Sequence, residues 1–96
     1  MEDIATKELT LSQTIEHVED FHNAFGISNN YEPTTELSDA DIDLRYKLMR
    51  EENEEYFEAA KNGDLVEVAD ALGDQLYILC GTILKHGMHG VGNILI

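Results

Sequence analysis

Basic residues are scarce in this chain: six lysines and arginines stand against 20 aspartates and glutamates, which gives a formal charge of −14. A field of that sign repels the phosphate backbone of nucleic acids and the anionic headgroups of membranes. We therefore expect neither a nucleic-acid polymer nor a membrane among its partners. Acidic chains are suited to partners that include cations, although a merely soluble acidic protein has the same composition.

Cysteines and long apolar runs are also scarce. Cys80 is the one cysteine, and its apolar neighbours predict a small buried side chain in a reducing compartment. No apolar run is long enough to span a bilayer and no basic segment precedes an apolar one near the start, so we expect a cytoplasmic protein. The sequence has neither a zinc-type Cys and His spacing nor a Ser-His-Asp order, so any catalysis is expected to depend on another metal.

The length of 96 residues predicts a single all-α domain over residues 1–96, whose limited core favours a homo-oligomer. Apolar residues at helical spacing predict a first helix over residues 12–25, with Ser12 as its N-cap. The segment before it, residues 1–11, is expected to be a loose lead-in. The segment after it, residues 27–38, is expected to be a loop that covers a pocket.

The second helix is predicted from Ala40 to Lys61, with Ser38 or Asp39 as its cap. Asn62-Gly63 ends it and makes the next helix an antiparallel neighbour. That third helix is predicted to run from its N-cap Asp64 to about residue 85. It is the most apolar of the three, so it is expected to be covered on most of its circumference. Residues 90–96 resemble the start of a truncated fourth helix.

Two rows of carboxylates follow the helical spacing. Glu52 and Glu55 interrupt the core-facing stripe of the second predicted helix, and Glu51 flanks them. On the third predicted helix, the row consists of Glu67, Asp70 and Asp74. Crowded, partly desolvated carboxylates must take up protons or bind a cation. Oxygen ligands select hard cations, so Mg²⁺ is expected and Mn²⁺ also fits. The alternative is that both rows are solvated helix faces, with the second favoured by the helix macrodipole.

Several motifs carry a resemblance to a known family. E-E-N-E-E-Y begins at Glu51, and G-D-L-V-E-V-A-D-A-L-G-D-Q-L-Y begins at Gly63. With F-H-N-A-F-G, Pro33, L-R-Y-K-L and Y-I-L-C-G, the chain resembles the MazG-like all-α nucleoside triphosphate pyrophosphohydrolases. Within them it is most similar to the phosphoribosyl-ATP pyrophosphohydrolase-like subgroup. The likeness extends from Val18 to Gly87.

The resemblance implies a four-helix bundle completed in a homodimer or homotetramer, and Mg²⁺-dependent cleavage between the α- and β-phosphates of a nucleotide. Glu52 and Glu55 match the family's first metal motif, and Asp74 matches the Asp of the second. Ala71 stands where the family has a Glu. Either Asp70 or Glu67 replaces that carboxylate, and the sequence does not decide between the two residues.

We hypothesise that two or three Mg²⁺ ions bind an NTP or dNTP, which is hydrolysed to a monophosphate and pyrophosphate. Glu51 or Glu52 would take the proton of the attacking water. The metal ligands would be Glu51, Glu52, Glu55, Asp70 and Asp74, with Glu67 as the alternative. Candidates for binding the nucleotide are Phe21, His22, Phe25, Arg45 and Lys61. Two alternatives are a phosphoribosyl-ATP pyrophosphohydrolase and a non-catalytic oligomerisation module, which Ala71 favours.

Overall fold

The computed structural model describes residues 10–90, which form helices and connecting loops without a strand. The chain runs through α1 (Leu11–Ala24), α2 (Asp39–Lys61) and α3 (Leu65–Lys85), and then through a 3-10 turn at Met88–Gly90. The predicted all-α fold and the bounds of the third helix are confirmed; the second helix ends at Lys61 as predicted and begins one residue earlier, at Asp39. Most of the predicted lead-in and nearly all of the predicted fourth helix lie outside the described residues.

Helix α1 begins earlier than predicted. Thr10, not Ser12, is its N-cap: Thr10 Oγ1 accepts from the Gln13 backbone N–H at 3.1 Å, and Gln13 Oε1 accepts from the Thr10 backbone N–H at 2.9 Å. This reciprocal capping box satisfies two groups at once, which a Ser12 cap would not do. Leu11 is therefore helical and does not belong to the lead-in. The caps of α2 and α3 are Ser38 and Asp64.

Helices α2 and α3 form an antiparallel hairpin. The turn between them uses Gly63 at a φ of +67°, a conformation that costs glycine little. Because the two helices run in opposite directions, a residue a given number of positions before the turn on α2 faces the residue the same number of positions after it on α3. The facing pairs along this seam are Asp41 with Lys85, Arg45 with Gly81, and Glu52 with Asp74.

The core lies where α1 packs on the C-terminal half of α3. Its buried side chains are Ile15, Val18, Cys80, Ile83 and Leu84. Cys80 is fully enclosed, as its apolar neighbours in the sequence predict. The C-terminal half of α3 is thus held by α1 and α2 together.

The loop between α1 and α2 is fastened to the end of α3. Asn30 donates its backbone N–H to Leu84 O at 3.0 Å and its side-chain amide to Lys85 O at 2.6 Å. Thr34 donates to His86 O at 2.9 Å, and His86 Nδ1 lies 2.8 Å from Thr34 O. These bonds satisfy carbonyl groups that the end of a helix leaves without partners.

One side of α3 stays exposed, which corrects the expectation that the helix is covered on most of its circumference. Leu65 is 80% exposed, Leu72 50% and Leu79 48%. The reason is that α1 and α2 occupy only two sides of α3. None of the helices within residues 10–90 combines the length and apolarity that crossing a membrane requires.

Candidate metal centre

Three carboxylates converge on the α2–α3 seam. Glu52 and Glu55 are one helical turn apart on α2, and Asp74 faces them from α3. One carboxylate oxygen from each lies within 4.8 Å of the others. Ligand atoms from two packed helices thus surround a single point, as a divalent cation requires.

Glu52 is crowded by the other two carboxylates. Its Oε2 is shut off from solvent and has no hydrogen-bond partner among residues 10–90. Burial raises the pKa of Glu52, and the charges of Glu55 and Asp74, together with a hydrogen bond that a protonated Glu52 shares with Asp74, raise it further. A carboxylate in this position gains from a proton or from a cation. The buried oxygen without a partner therefore fits a hard metal ion.

The other predicted ligands lie outside this group. Glu51 and Asp70 are exposed on their helices. Glu67 lines a cavity of about 250 Å³ beside the α2–α3 turn, and Glu55 lines the same cavity. Ala71 is 3% exposed, so the position at which the resemblance implies a Glu is buried.

The candidates for binding a nucleobase have different surroundings. The rings of Phe21 and Phe25 lie 4.4 Å apart between centroids, and both are exposed in part. His22 is only 2% exposed, and its Nδ1 lies 2.7 Å from Asn29 Oδ1. The two phenylalanines are open to a flat ligand, whereas the histidine is enclosed within the fold.

The two basic candidates lie far apart. Arg45 lies against Gly81 of α3, two turns before Glu52 and roughly 10 Å from it along the helix axis. Lys61 ends α2, with its Nζ 5.3 Å from the centre of the Phe57 ring. Along α2 it is roughly 24 Å from Arg45. A single phosphate group therefore cannot contact both.

Two residues beside the carboxylates were not among the predicted site residues. Tyr77 follows Asp74 by one turn, and its hydroxyl is buried without a partner among residues 10–90. Gly81 follows one turn later and makes room for Arg45. Their spacing from Asp74, at i+3 and i+7, was a visible signal that they share its face.

The fold and the site together define an all-α protein with a candidate divalent-metal centre on a helical hairpin. The family model described as phosphoribosyl-ATP pyrophosphohydrolase matches residues 18–90, and the chain belongs to this family. The resemblance carried by the sequence motifs is thereby confirmed, and membership implies a pyrophosphohydrolase. No curated protein and no solved structure matches the chain.

Proposed function

We propose that this chain is a Mg²⁺-dependent pyrophosphohydrolase that converts an NTP or dNTP to a monophosphate and pyrophosphate. The observation that carries the proposal is the environment of Glu52. Among residues 10–90 its buried oxygen Oε2 has no hydrogen-bond donor, and the carboxylates of Glu55 and Asp74 crowd the group. In a pyrophosphohydrolase family, such a group is best explained as a metal ligand.

Glu52, Glu55 and Asp74 would hold the metal, with Mn²⁺ as a substitute for Mg²⁺ because both prefer oxygen ligands. Additional ligands would come from Glu51 and from Asp70 or Glu67. When bound, the metal supplies charge neutralisation for the phosphates and lowers the pKa of a coordinated water.

The chain's own groups complete the reaction. A water oxygen bonds to the α-phosphorus, the bond to the bridging oxygen breaks, and Glu51 or Glu52 accepts the proton of the water. Glu51 is exposed beside the cluster, and whichever of Glu51 and Glu52 the metal engages less fully would serve as the base. The exposed rings of Phe21 and Phe25 would stack on the base of the nucleotide.

A second candidate substrate is phosphoribosyl-ATP, which the description of the matching family favours. It carries the same type of phosphoanhydride, so the proposed chemistry applies to it unchanged. The deciding assay is a panel of NTPs, dNTPs and phosphoribosyl-ATP with detection of released pyrophosphate. Release from one of them identifies the substrate, and release from none contradicts the enzymatic proposal.

The rival proposal is a helical oligomerisation module whose site has degenerated, favoured by the buried Ala71 at the family's Glu position. Calorimetric titration with Mn²⁺ separates the two. The enzyme requires saturable binding that Asp74→Asn abolishes and that the matched variant Asp20→Asn, on the exposed face of α1, retains. Absence of binding to the wild-type chain supports the module.

A further inference from the structure

Three helices meet at Gly81. A Cβ atom at this position would lie 2.7 Å from Arg45 Nη1 of α2 and 3.2 Å from His22 Nε2 of α1. The first distance is shorter than van der Waals contact allows, so any larger residue would move the guanidinium. The missing side chain therefore sets where the head of Arg45 lies.

Arg45 is half-buried and has no close anionic partner. Burial lowers the pKa of its guanidinium, and the charge of Asp41 offsets part of that effect. Asp41 itself lies 3.7 Å from Lys85 Nζ. Among residues 10–90, the structure gives Arg45 neither an ion pair nor a hydrogen bond. A partly desolvated charge in a protein normally has a partner of opposite charge. Because Arg45 lacks one within these residues, its N–H groups are available to bind an anion.

Tyr77 supplies a second donor next to this guanidinium. Its hydroxyl is buried and has no hydrogen-bond partner among residues 10–90. Gly81 follows Tyr77 by one turn of α3 and lies against the Arg45 guanidinium, so Tyr77 lies on the side of α3 that faces Arg45. Burial raises the pKa of Tyr77, and the charge of Arg45 acts against that rise. Tyr77 also lies between Asp74 and Gly81 on one face of α3. The Arg45 guanidinium and the Tyr77 hydroxyl thus lie along the same α2–α3 interface as the carboxylates, further toward the C-terminal end of α3.

We propose that Arg45 and Tyr77 form a phosphate-binding subsite distinct from the carboxylate cluster, with Gly81 as the positioning residue of Arg45. Arginine suits this role because its planar fork binds two phosphate oxygens at once. Arg45 and Glu52 are roughly 10 Å apart along α2, so the subsite takes a phosphate other than those at the metal.

Two sources of that phosphate share the required chemistry. One is the distal phosphate of a triphosphate chain, and the other is a phosphate on a second sugar of the substrate. The identification of these two sources rests on the proposed function, whereas the binding of phosphate by Arg45 and Tyr77 does not. Binding of a phosphate to Arg45 needs neither metal nor turnover, so it is tested separately from the metal centre.

The test uses the full chain without divalent metal, titrated with inorganic pyrophosphate and, separately, with ribose 5-phosphate. The chain has two arginines, Arg45 and Arg50, and Arg50 is held by Glu54 at 3.2 Å in an exposed ion pair. Nuclear magnetic resonance of the arginine Nε–H groups should show a saturable shift for Arg45 and none for Arg50. The ligand with the higher affinity identifies the source of the phosphate.

Variants then assign the donors. Arg45→Gln should abolish binding, and Arg45→Lys should weaken it because the fork is lost. Tyr77→Phe and Gly81→Ala should each weaken it about tenfold, the effect of losing one hydrogen bond to a charged group. Arg50→Lys is the matched control and should keep the wild-type affinity.

Circular dichroism checks that each variant keeps its helices. If Tyr77→Phe or Gly81→Ala unfolds, the comparison of Arg45→Lys with Arg50→Lys decides the matter. Wild-type affinity in Arg45→Gln, equal losses in the two lysine variants, or no binding of either ligand would overturn the subsite. Loss of Mn²⁺ binding on Asp74→Asn tests the metal centre alone, so the two proposals fail independently.

Discussion

Glu52 is the residue of the carboxylate cluster for which the structure predicts a dependence of stability on pH. Its pKa is raised by burial and by the nearby carboxylates, so the folded chain binds a proton there more tightly than the unfolded chain does. Metal-free stability therefore falls as pH rises from the ordinary glutamate range through the raised pKa, and the loss is complete above it. A bound cation would remove the same penalty.

Glu52→Gln should consequently raise the melting temperature of the metal-free chain by a few degrees near pH 7, while abolishing turnover. Below the ordinary glutamate pKa, the variant and the wild type should melt together. Thermal unfolding with a chelator at the two pH values checks this. Glu16→Gln, on the exposed face of α1, is the control and should change neither curve. A lower melting temperature for Glu52→Gln near pH 7 would contradict the predicted strain.

Ala71 is the second informative residue, because it is buried one turn before Asp74, at the position where the resemblance implies a carboxylate. Ala71→Glu should tighten Mn²⁺ binding by about tenfold or more, since added ligand charge increases affinity. The same change should destabilise the metal-free chain, because it adds a further charge to a crowded site. Calorimetry and thermal unfolding measure the two effects. Ala69→Glu, exposed on the same helix, should change neither the Mn²⁺ affinity nor the stability. Equal effects of Ala69→Glu and Ala71→Glu would show that the added net charge, and not its position, is responsible.

The helix bounds could be predicted because they depend on local signals. Ser38, Asp64 and the Asn62-Gly63 turn act over a few residues, and the structure uses all of them. The predicted start of α1 was wrong by two residues at the N-cap, because Thr10 and Gln13 form a capping box that Ser12 cannot form. The attachment of the α1–α2 loop to the end of α3 could not be predicted, because the hydrogen bond from Asn30 to Lys85 joins residues 55 positions apart in the sequence.

Gly87 should be the most sensitive point of that fastening. It has a φ of +64°, and a Cβ atom there would collide with the backbone of Glu32 in the loop. Gly87→Ala should therefore cost more stability than Gly63→Ala, whose φ is +67° but whose surroundings are open. The backbone conformation alone costs about 1–2 kcal/mol, and the collision should add about 1–3 kcal/mol. Urea unfolding gives both values, and equal losses would show that the contact with Glu32 is unimportant.

At the scale of the whole molecule, the candidate site depends on how α2 and α3 are aligned. Helical spacing was enough to place Glu52 and Glu55 on one face of α2. It did not decide which carboxylates of α3 meet them, because that depends on the length of the turn and the register of the hairpin. The structure selects Asp74 and leaves Asp70 and Glu67 outside the cluster. The carboxylate cluster of the candidate metal centre is thus formed by a packing arrangement that no single motif contains.

We propose that the exposed stripe of α3 is the surface at which a homodimer or homotetramer completes a four-helix bundle. This stripe comprises Leu65, Leu72, Leu76 and Leu79. A small domain with few buried side chains gains from covering such a surface. Leu72→Glu should convert the assembly to monomers, because a carboxylate is costly to bury in an apolar interface. Light scattering after size-exclusion chromatography measures the mass.

Leu11→Glu is the matched control, because Leu11 is similarly exposed but belongs to α1; it should leave the assembly intact. A wild-type chain that is monomeric at high concentration, or equal dissociation by both variants, would contradict the assignment of this interface. The carboxylates of Glu52, Glu55 and Asp74 all come from one chain. The monomeric Leu72→Glu variant should therefore still bind Mn²⁺, and loss of binding would mean that the site needs a second copy.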